Sequence, residues 1–221
     1  MQKTRTKIVA ALALSLMSAG AVAADTSFTA RNGGPSQSAL VGKSGHSPAA
    51  GLAFVRPVLS GVLYRAGFKG GDKERDGLSS GQREELCGAG FSSARYVDFG
   101  KNTKYGNTSC STGKMTYASA KSTSPSEVMQ ELHGIIKDPG RGPMLVHCMW
   151  GVHSSGAISA MALVQFCGWS EERAKAYWND ARNGADCSDG CDAWIDHHFD
   201  HFKFNAALTI SDAERAAICP K

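Results

Sequence analysis

The chain has 221 residues, 42% of them hydrophobic and 20% charged, with a formal net charge of +4. That balance suits a globular protein with an ordinary core and excludes a collagen-like, low-complexity or wholly disordered chain. Three of the basic residues fall in the first seven positions, so the charge gives no ground for a nucleic-acid or anionic-membrane partner.

Lys3, Arg5 and Lys7 precede the apolar run Ile8 to Met17 and then the small residues Ala21-Val22-Ala23-Ala24. This is the three-part layout of a secretory signal, with cleavage expected just before Ala24 or Asp25. Its apolar run is about half the ~20 residues that a membrane span needs, so no membrane span is expected. Cleavage removes three basic and no acidic residues, leaving 21 basic against 20 acidic side chains. The expected organisation is a signal peptide over 1–24, a flexible Ser, Gly and Ala-rich leader over 25–51 and a single domain over 52–221. The mature protein is expected to be periplasmic or secreted.

Phe54-Val55 and Val62-Leu63-Tyr64 read as short strands, separated by Pro57 and by Gly61, where a turn fits. Ser79 is placed to cap a helix running to Leu86, which Gly88 and Gly90 stop. Ala94 to Phe99 reads as a buried strand. Gly100 to Thr123 is polar with no strong periodicity, which predicts a long loop with room for a short strand. Ser124, with Pro125 at the first helical position and Glu127 three residues on, is a capping-box start for a helix whose apolar face is Val128, Leu132, Ile135 and Ile136. Pro139-Gly140 ends it.

Met144-Leu145-Val146 is too brief for a helix and reads as a central strand, with Cys148 at its C-terminal end. A helix from about Ser155 to Phe166 follows, closed by Gly168, and another starts at Ser170 with Glu171 and Glu172 near its positive end. The order of elements argues for an α/β fold: a central, mainly parallel sheet flanked by helices.

Seven cysteines lie beyond the signal: Cys87, Cys110, Cys148, Cys167, Cys187, Cys191 and Cys219. Export permits disulfides, and an odd count leaves at least one cysteine unpaired in a monomer. Cys187 and Cys191 are the favoured pair, because Ser188-Asp189-Gly190 between them suits a tight turn. Buried free thiols are the alternative for several of the others.

A strand ending in cysteine, then a short Gly-containing loop, then a helix, gathers loop amides and the unpaired N–H groups of the helix start into one concavity. An anion is favoured there, and so is a thiolate, which makes Cys148 a candidate nucleophile. An inert buried cysteine at a strand end is the alternative.

The run His147-Cys148-Met149-Trp150-Gly151-Val152-His153-Ser154-Ser155-Gly156 resembles the signature of the protein tyrosine and dual-specificity phosphatase superfamily: His-Cys, five residues, Arg, Ser or Thr, then Gly. Gly61-Val62-Leu63-Tyr64-Arg65, Tyr96-Val97-Asp98-Phe99 and Gly168-Trp169-Ser170-Glu171-Glu172 resemble further segments of the family, and the likeness spans about Phe54 to Trp178. It implies that Cys148 is the nucleophile that forms a phosphocysteine, that His147 supports the loop and the thiolate, and that the Ser155 hydroxyl assists departure of the thiolate. Met149, Trp150, Gly151, Val152, Ser154 and Gly156 complete the phosphate-binding loop. Ser154 stands at the position of the family's arginine, whose charge and two-pronged geometry a serine does not supply. No residue matches the family's Asp general acid; Glu127, Glu131 and Asp138 are the only carboxylates between Gly100 and Pro139. His153 is suited to replace either function in part, as an imidazolium that binds phosphate or an imidazole that moves protons; a surface histidine at a helix start is the alternative.

The expectation is therefore an exported dual-specificity-phosphatase-like protein that hydrolyses phosphomonoesters through Cys148 by a modified mechanism. Its partner would be a phosphorylated small molecule or a phosphoprotein, and no cofactor or metal is implied. A catalytically inactive pseudophosphatase and other thiol chemistry, sulfur transfer or redox exchange, are the alternatives. His197 and His201, one turn apart beside Asp196, His198 and Asp200, have a spacing able to hold a metal, but no third ligand stands at a fixed spacing. They read as a solvated face opposite Trp194, Ile195, Phe199 and Phe202. Lys101, Lys104, Lys114 and Lys121 read as solubilising charge.

Overall fold

The structure, a computed structural model, describes residues 52–68, 77–98, 108–121, 124–138, 140–181 and 190–220. The expected signal and leader, Lys101, Lys104, Pro139 and Cys187 lie outside the described residues. Strands β1 (Leu52–Leu59), β2 (Leu63–Phe68), β3 (Ser93–Asp98), β4 (Thr108–Ser109), β5 (Thr116–Lys121) and β6 (Met144–His147) form one sheet in the order β1-β2-β6-β3-β5-β4. The four inner strands are mutually parallel, and β1 and β4 run antiparallel to their neighbours at the two edges. The fold is the expected α/β arrangement with a mainly parallel sheet.

Helices α1 (Ser80–Gly88), α2 (Ser126–Lys137), α3 (Ser154–Cys167), α4 (Glu171–Asp180), α5 (Cys191–Asp200) and α6 (Asp212–Ile218) cover the sheet. Strand alternation sorts the core into two parts. Leu63, Met144 and Val146 face a large cluster with the buried sides of α2 to α6, whereas Tyr64, Ala66, Tyr96, Tyr117 and Leu145 face a smaller one under α1. The apolar stripe expected on α2 is buried as Val128, Leu132, Ile135 and Ile136. Each such side chain contributes about 1.5–3 kcal/mol by leaving water.

Local signals explain most boundaries. Ser79 and Gln82 form a complete capping box at the start of α1. Ser170 accepts from the Arg173 amide at α4, and Gly168, with φ 68°, closes α3 in the left-handed conformation. Three expectations are corrected. Pro57 does not separate two strands but lies inside β1, an edge strand with a register irregularity between Pro57 and Leu59, where the missing N–H is tolerated. The stretch read as a long loop with room for one short strand contains two strands, β4 and the six-residue β5, the latter paired along its whole length with β3. The capping box at α2 does not form: Pro125 is the N-cap residue, it makes no side-chain cap bond, and Ser124 stays exposed outside the helix.

Two disulfides are fully described. Cys87–Cys110 ties the end of α1 to the turn after β4, and Cys167–Cys219 ties the end of α3 to the chain after α6. Cys191 is also disulfide-bonded, and among the described residues Cys148 is the free cysteine. Among the described residues no helix is long and apolar enough to cross a membrane.

Candidate functional site

Cys148 follows β6 directly, and Ser154 opens α3, so residues 149–153 must turn the chain within five positions. Gly151 allows this with φ 71°. The loop is pressed against the end of β2, backbone to backbone. A β-carbon on Gly151 would stand 2.5 Å from the Gly67 nitrogen, and one on Gly67 would collide with the backbone of Trp150 and Gly151. Only a glycine pair permits this approach.

Cys148 is 6% exposed, and its Sγ lies 3.3 Å from Ser155 Oγ. Ser155 is fully buried, and its carbonyl accepts from the Ser159 hydroxyl at 2.7 Å. Ser154 is buried beside it. The N-cap residue of the 14-residue α3, His153, makes no side-chain cap bond, so no imidazole occupies the N–H groups at the helix start. Met149 is half-buried, Val152 is buried, and Trp150 stands 49% exposed at the rim of the loop.

His147 points to the opposite face of the sheet from α3. Its ring stacks on Tyr117 and meets Tyr96 edge-on, with Nε2 3.1 Å from Tyr117 Oη. The Leu78 amide donates to the same phenol oxygen at 3.0 Å, which leaves the phenol proton free to be donated to Nε2. Burial pushes the His147 pKa down to about 3, so the ring is neutral at pH 7. His147, the last residue of β6, thus anchors the end of that strand on the face opposite α3, directly before Cys148.

The His153 ring packs edge-on against Trp194, while its carbonyl accepts from Trp178 Nε1 at 3.1 Å. The two indoles stack with centroids 5.3 Å apart. The start of α3 is therefore clamped by aromatic groups from α4 and α5. His198 lies against Trp194 on the same helix, ring centroids 3.7 Å apart and tilted by 34°, and burial lowers its pKa to about 4. His197 and His201 have ring centroids 4.5 Å apart, both exposed; among the described residues no group of three or more His, Cys, Asp or Glu is placed to hold a metal.

The carboxylates before the loop are placed as follows. Glu131 is bound by Arg95 Nε at 2.8 Å and faces Arg141, and Glu127 lies exposed in the first turn of α2. A cavity of about 480 Å³ at the start of α2 is lined by Pro125, Met129, Gln165, His201 and Asn205, with no residue of the Cys148 loop.

Arg65 is the site residue whose importance the sequence conveyed least. It is fully buried on β2, on the α3 side of the sheet. Nη2 donates to the Ala181 carbonyl at the end of α4 at 2.8 Å, and the guanidinium lies 5.7 Å from the Tyr177 ring. Nη1 comes within 3.0 Å of where a Gly156 β-carbon would be, so Gly156 leaves room for the guanidinium against the first turn of α3. The available signal was alternation: Leu63, Arg65 and Gly67 share one strand face, and arginine is foreign to an interior position.

No protein-family profile matches the chain, and no curated protein matches it. Solved structures similar to it include Tk-PTP in the active form, with 12% identity over 70% of this chain and 99% of that one and a TM-score of 0.47. The human tyrosine phosphatase-like serine/threonine/tyrosine-interacting protein has 14% identity over 66% and 95% of the two chains, TM-score 0.45. A mouse putative dual specificity phosphatase complexed with zinc tungstate has 18% identity over 76% and 98%, TM-score 0.45.

Proposed function

We propose that this chain is an exported, dual-specificity-phosphatase-like protein whose Cys148 loop binds the phosphoryl group of a phosphorylated small molecule or phosphoprotein and hydrolyses the monoester. The observation that carries the reading is the free, buried Cys148 with its sulfur 3.3 Å from Ser155 Oγ at the uncapped start of α3. The sulfur attacks phosphorus and the ester oxygen leaves, taking up a proton. Water then hydrolyses the phosphocysteine, releasing phosphate while the Ser155 hydroxyl stabilises the departing thiolate. Amides of residues 149–156 hold the equatorial oxygens.

Ser154 makes the mechanism a modified one, because it brings neither charge nor a bidentate fork. Losing such a donor slows chemistry by about 100- to 1,000-fold. His153, the N-cap residue of α3 with its ring against Trp194, is the imidazole within the loop that this reading assigns to proton transfer to the leaving group. The purified mature protein should hydrolyse an aryl phosphate and Cys148→Ser should not. Equal rates from the two would overturn the reading.

The Ser154 substitution specifically favours a second reading, a pseudophosphatase that binds a phosphorylated or anionic partner without turnover. It is distinguished by inorganic phosphate protecting Cys148 from alkylation in a protein that releases no phosphate from any aryl ester. Sulfur transfer or redox exchange also begins from a free thiol, and a Cys148 disulfide in a mass map of the native protein would favour it.

A further inference from the structure

An arginine in a folded core, with no carboxylate paired to it among the described residues, needs a reason. Arg65 is 0% exposed, and among the described residues its Nε and Nη1 have no hydrogen-bond partner. A cation taken out of water without an ion pair, with two donors unsatisfied, is strongly unfavourable unless something else uses its charge. Among the described residues no carboxylate faces it, and desolvation outweighs the fields that favour its charge. From α4 come the Tyr177 ring and the Ala181 carbonyl, and from β1 comes Arg56, a second cation whose field works against it. Two groups act in favour of its charge, the Tyr177 phenol first and, from the functional loop, the Cys148 sulfur.

Position gives that field a direction. Arg65 is level with Val146 in the parallel pairing of β2 and β6, two residues before Cys148. Its Nη1 lies against Gly156, two residues after Ser154. The guanidinium therefore sits behind the first turn of α3, buried in protein rather than in water, and the helix start and the arginine act on the same space with the same sign.

We infer that Arg65 is a positioning residue that supplies, from behind the Cys148 loop, the fixed positive charge that Ser154 does not supply from within it. The inference rests on the proposed anion-binding role of the loop and deepens it. The arginine does not touch the bound oxyanion; it acts through the first turn of α3, contributing attraction without the two-pronged grip. The loop should consequently favour small, fully charged oxyanions while discriminating poorly between their shapes. Desolvation lowers the Arg65 pKa to about 10, which still leaves it charged at pH 7.

The test uses the whole mature protein with Arg65→Met and Arg65→Lys, measuring the rate of Cys148 alkylation by iodoacetamide with and without inorganic phosphate. One unit charge acting across a protein-like dielectric corresponds to about a tenfold effect. Arg65→Met should alkylate about tenfold more slowly at pH 7 and need about tenfold more phosphate for protection. Arg65→Lys should recover most of both, and the Arg65→Met melting temperature should not fall, because a costly buried charge has been removed. Unchanged alkylation and protection in Arg65→Met overturn the inference while leaving the proposed function standing. So does equal loss in both variants accompanied by lower melting temperatures, which marks a packing role. If phosphate fails to protect the wild type, the proposed function falls, and the bare alkylation rates alone then decide for or against Arg65. Should Arg65→Met not fold, Arg65→Gln replaces it in every comparison.

Discussion

Replacing Gly151 by alanine should damage the loop in two separable ways, and two other glycines measure each way alone. Gly113 has φ 68° with nothing within 4 Å of an added β-carbon, so Gly113→Ala reports only the cost of a left-handed alanine, about 1–2 kcal/mol. Gly67 does not carry a left-handed φ, and its added β-carbon would collide with the backbone of Trp150 and Gly151. Because the obstacle is main chain, no rotamer change relieves it, and the cost should be that of overpacking, about 1–3 kcal/mol. Gly151→Ala combines both terms, with a φ of 71° and a β-carbon 2.5 Å from Gly67 N and 2.7 Å from the Ala66 carbonyl carbon. It should lose roughly 2–5 kcal/mol. Urea unfolding at equilibrium gives the three values, and iodoacetamide alkylation of Cys148 reports the loop directly. The Gly67→Ala/Gly151→Ala double variant should cost less than the sum, since separating the two backbones once relieves both collisions. A Gly151→Ala loss no larger than that of Gly113→Ala, with unchanged alkylation, would refute the back-to-back packing of loop and strand.

Two further outcomes follow from the charges and cross-links. His147 has a folded pKa of about 3 against an ordinary value of 6.5. Between those values the unfolded chain binds a proton that the native chain does not, so stability is full above about pH 6.5 and is lost as the pH falls toward 3. Thermal melts from pH 7 to pH 5, above the range where carboxylates titrate, should show a decline that His147→Phe reduces in part, the rest belonging to His198, whose pKa burial lowers to about 4; identical slopes would remove His147 as a cause. Cys167 and Cys219 enclose 52 residues of sequence separation, for which loop-closure entropy gives about 4 kcal/mol. The Cys167→Ala/Cys219→Ala double variant should lose stability of that order by urea titration, whereas a loss under 1 kcal/mol would argue that α6 docks without the bridge.

The strand, loop and helix around Cys148 were legible because each signal there is local. A three-residue apolar run, a glycine where the chain must reverse and a long apolar segment closed by Gly168 identify themselves without help from distant residues. Strand β5 was not legible, because Thr116-Tyr117-Ala118-Ser119-Ala120 has little β-branched bulk, and its strand character comes from pairing with β3. At α2, Ser124 carried the right chemistry for a cap, yet the helix begins one residue later than that cap requires. The loop's neighbours were hidden for a different reason. Trp178 and Trp194 reach His153, and Trp178 and Arg65 reach Gly156, from three separate elements, and nothing in their own local sequence points toward residue 148. The identity of a loop is written in its own residues, whereas its environment is assembled only by the fold.

The Cys167–Cys219 bridge also has a mechanical meaning. It joins the last residue of α3 to the residue just beyond α6, and so places the chain from 168 to 218 in a closed side branch. Tension applied beyond Cys219 bypasses α4, α5 and α6 and enters α3 at its C-terminal end. At its other end, that same helix begins with Ser154 and Ser155, beside the Cys148 sulfur. A pull, a tether or a docked partner at the C-terminal end of the described chain therefore has a covalent line of action along the helix that forms one wall of the proposed phosphate loop.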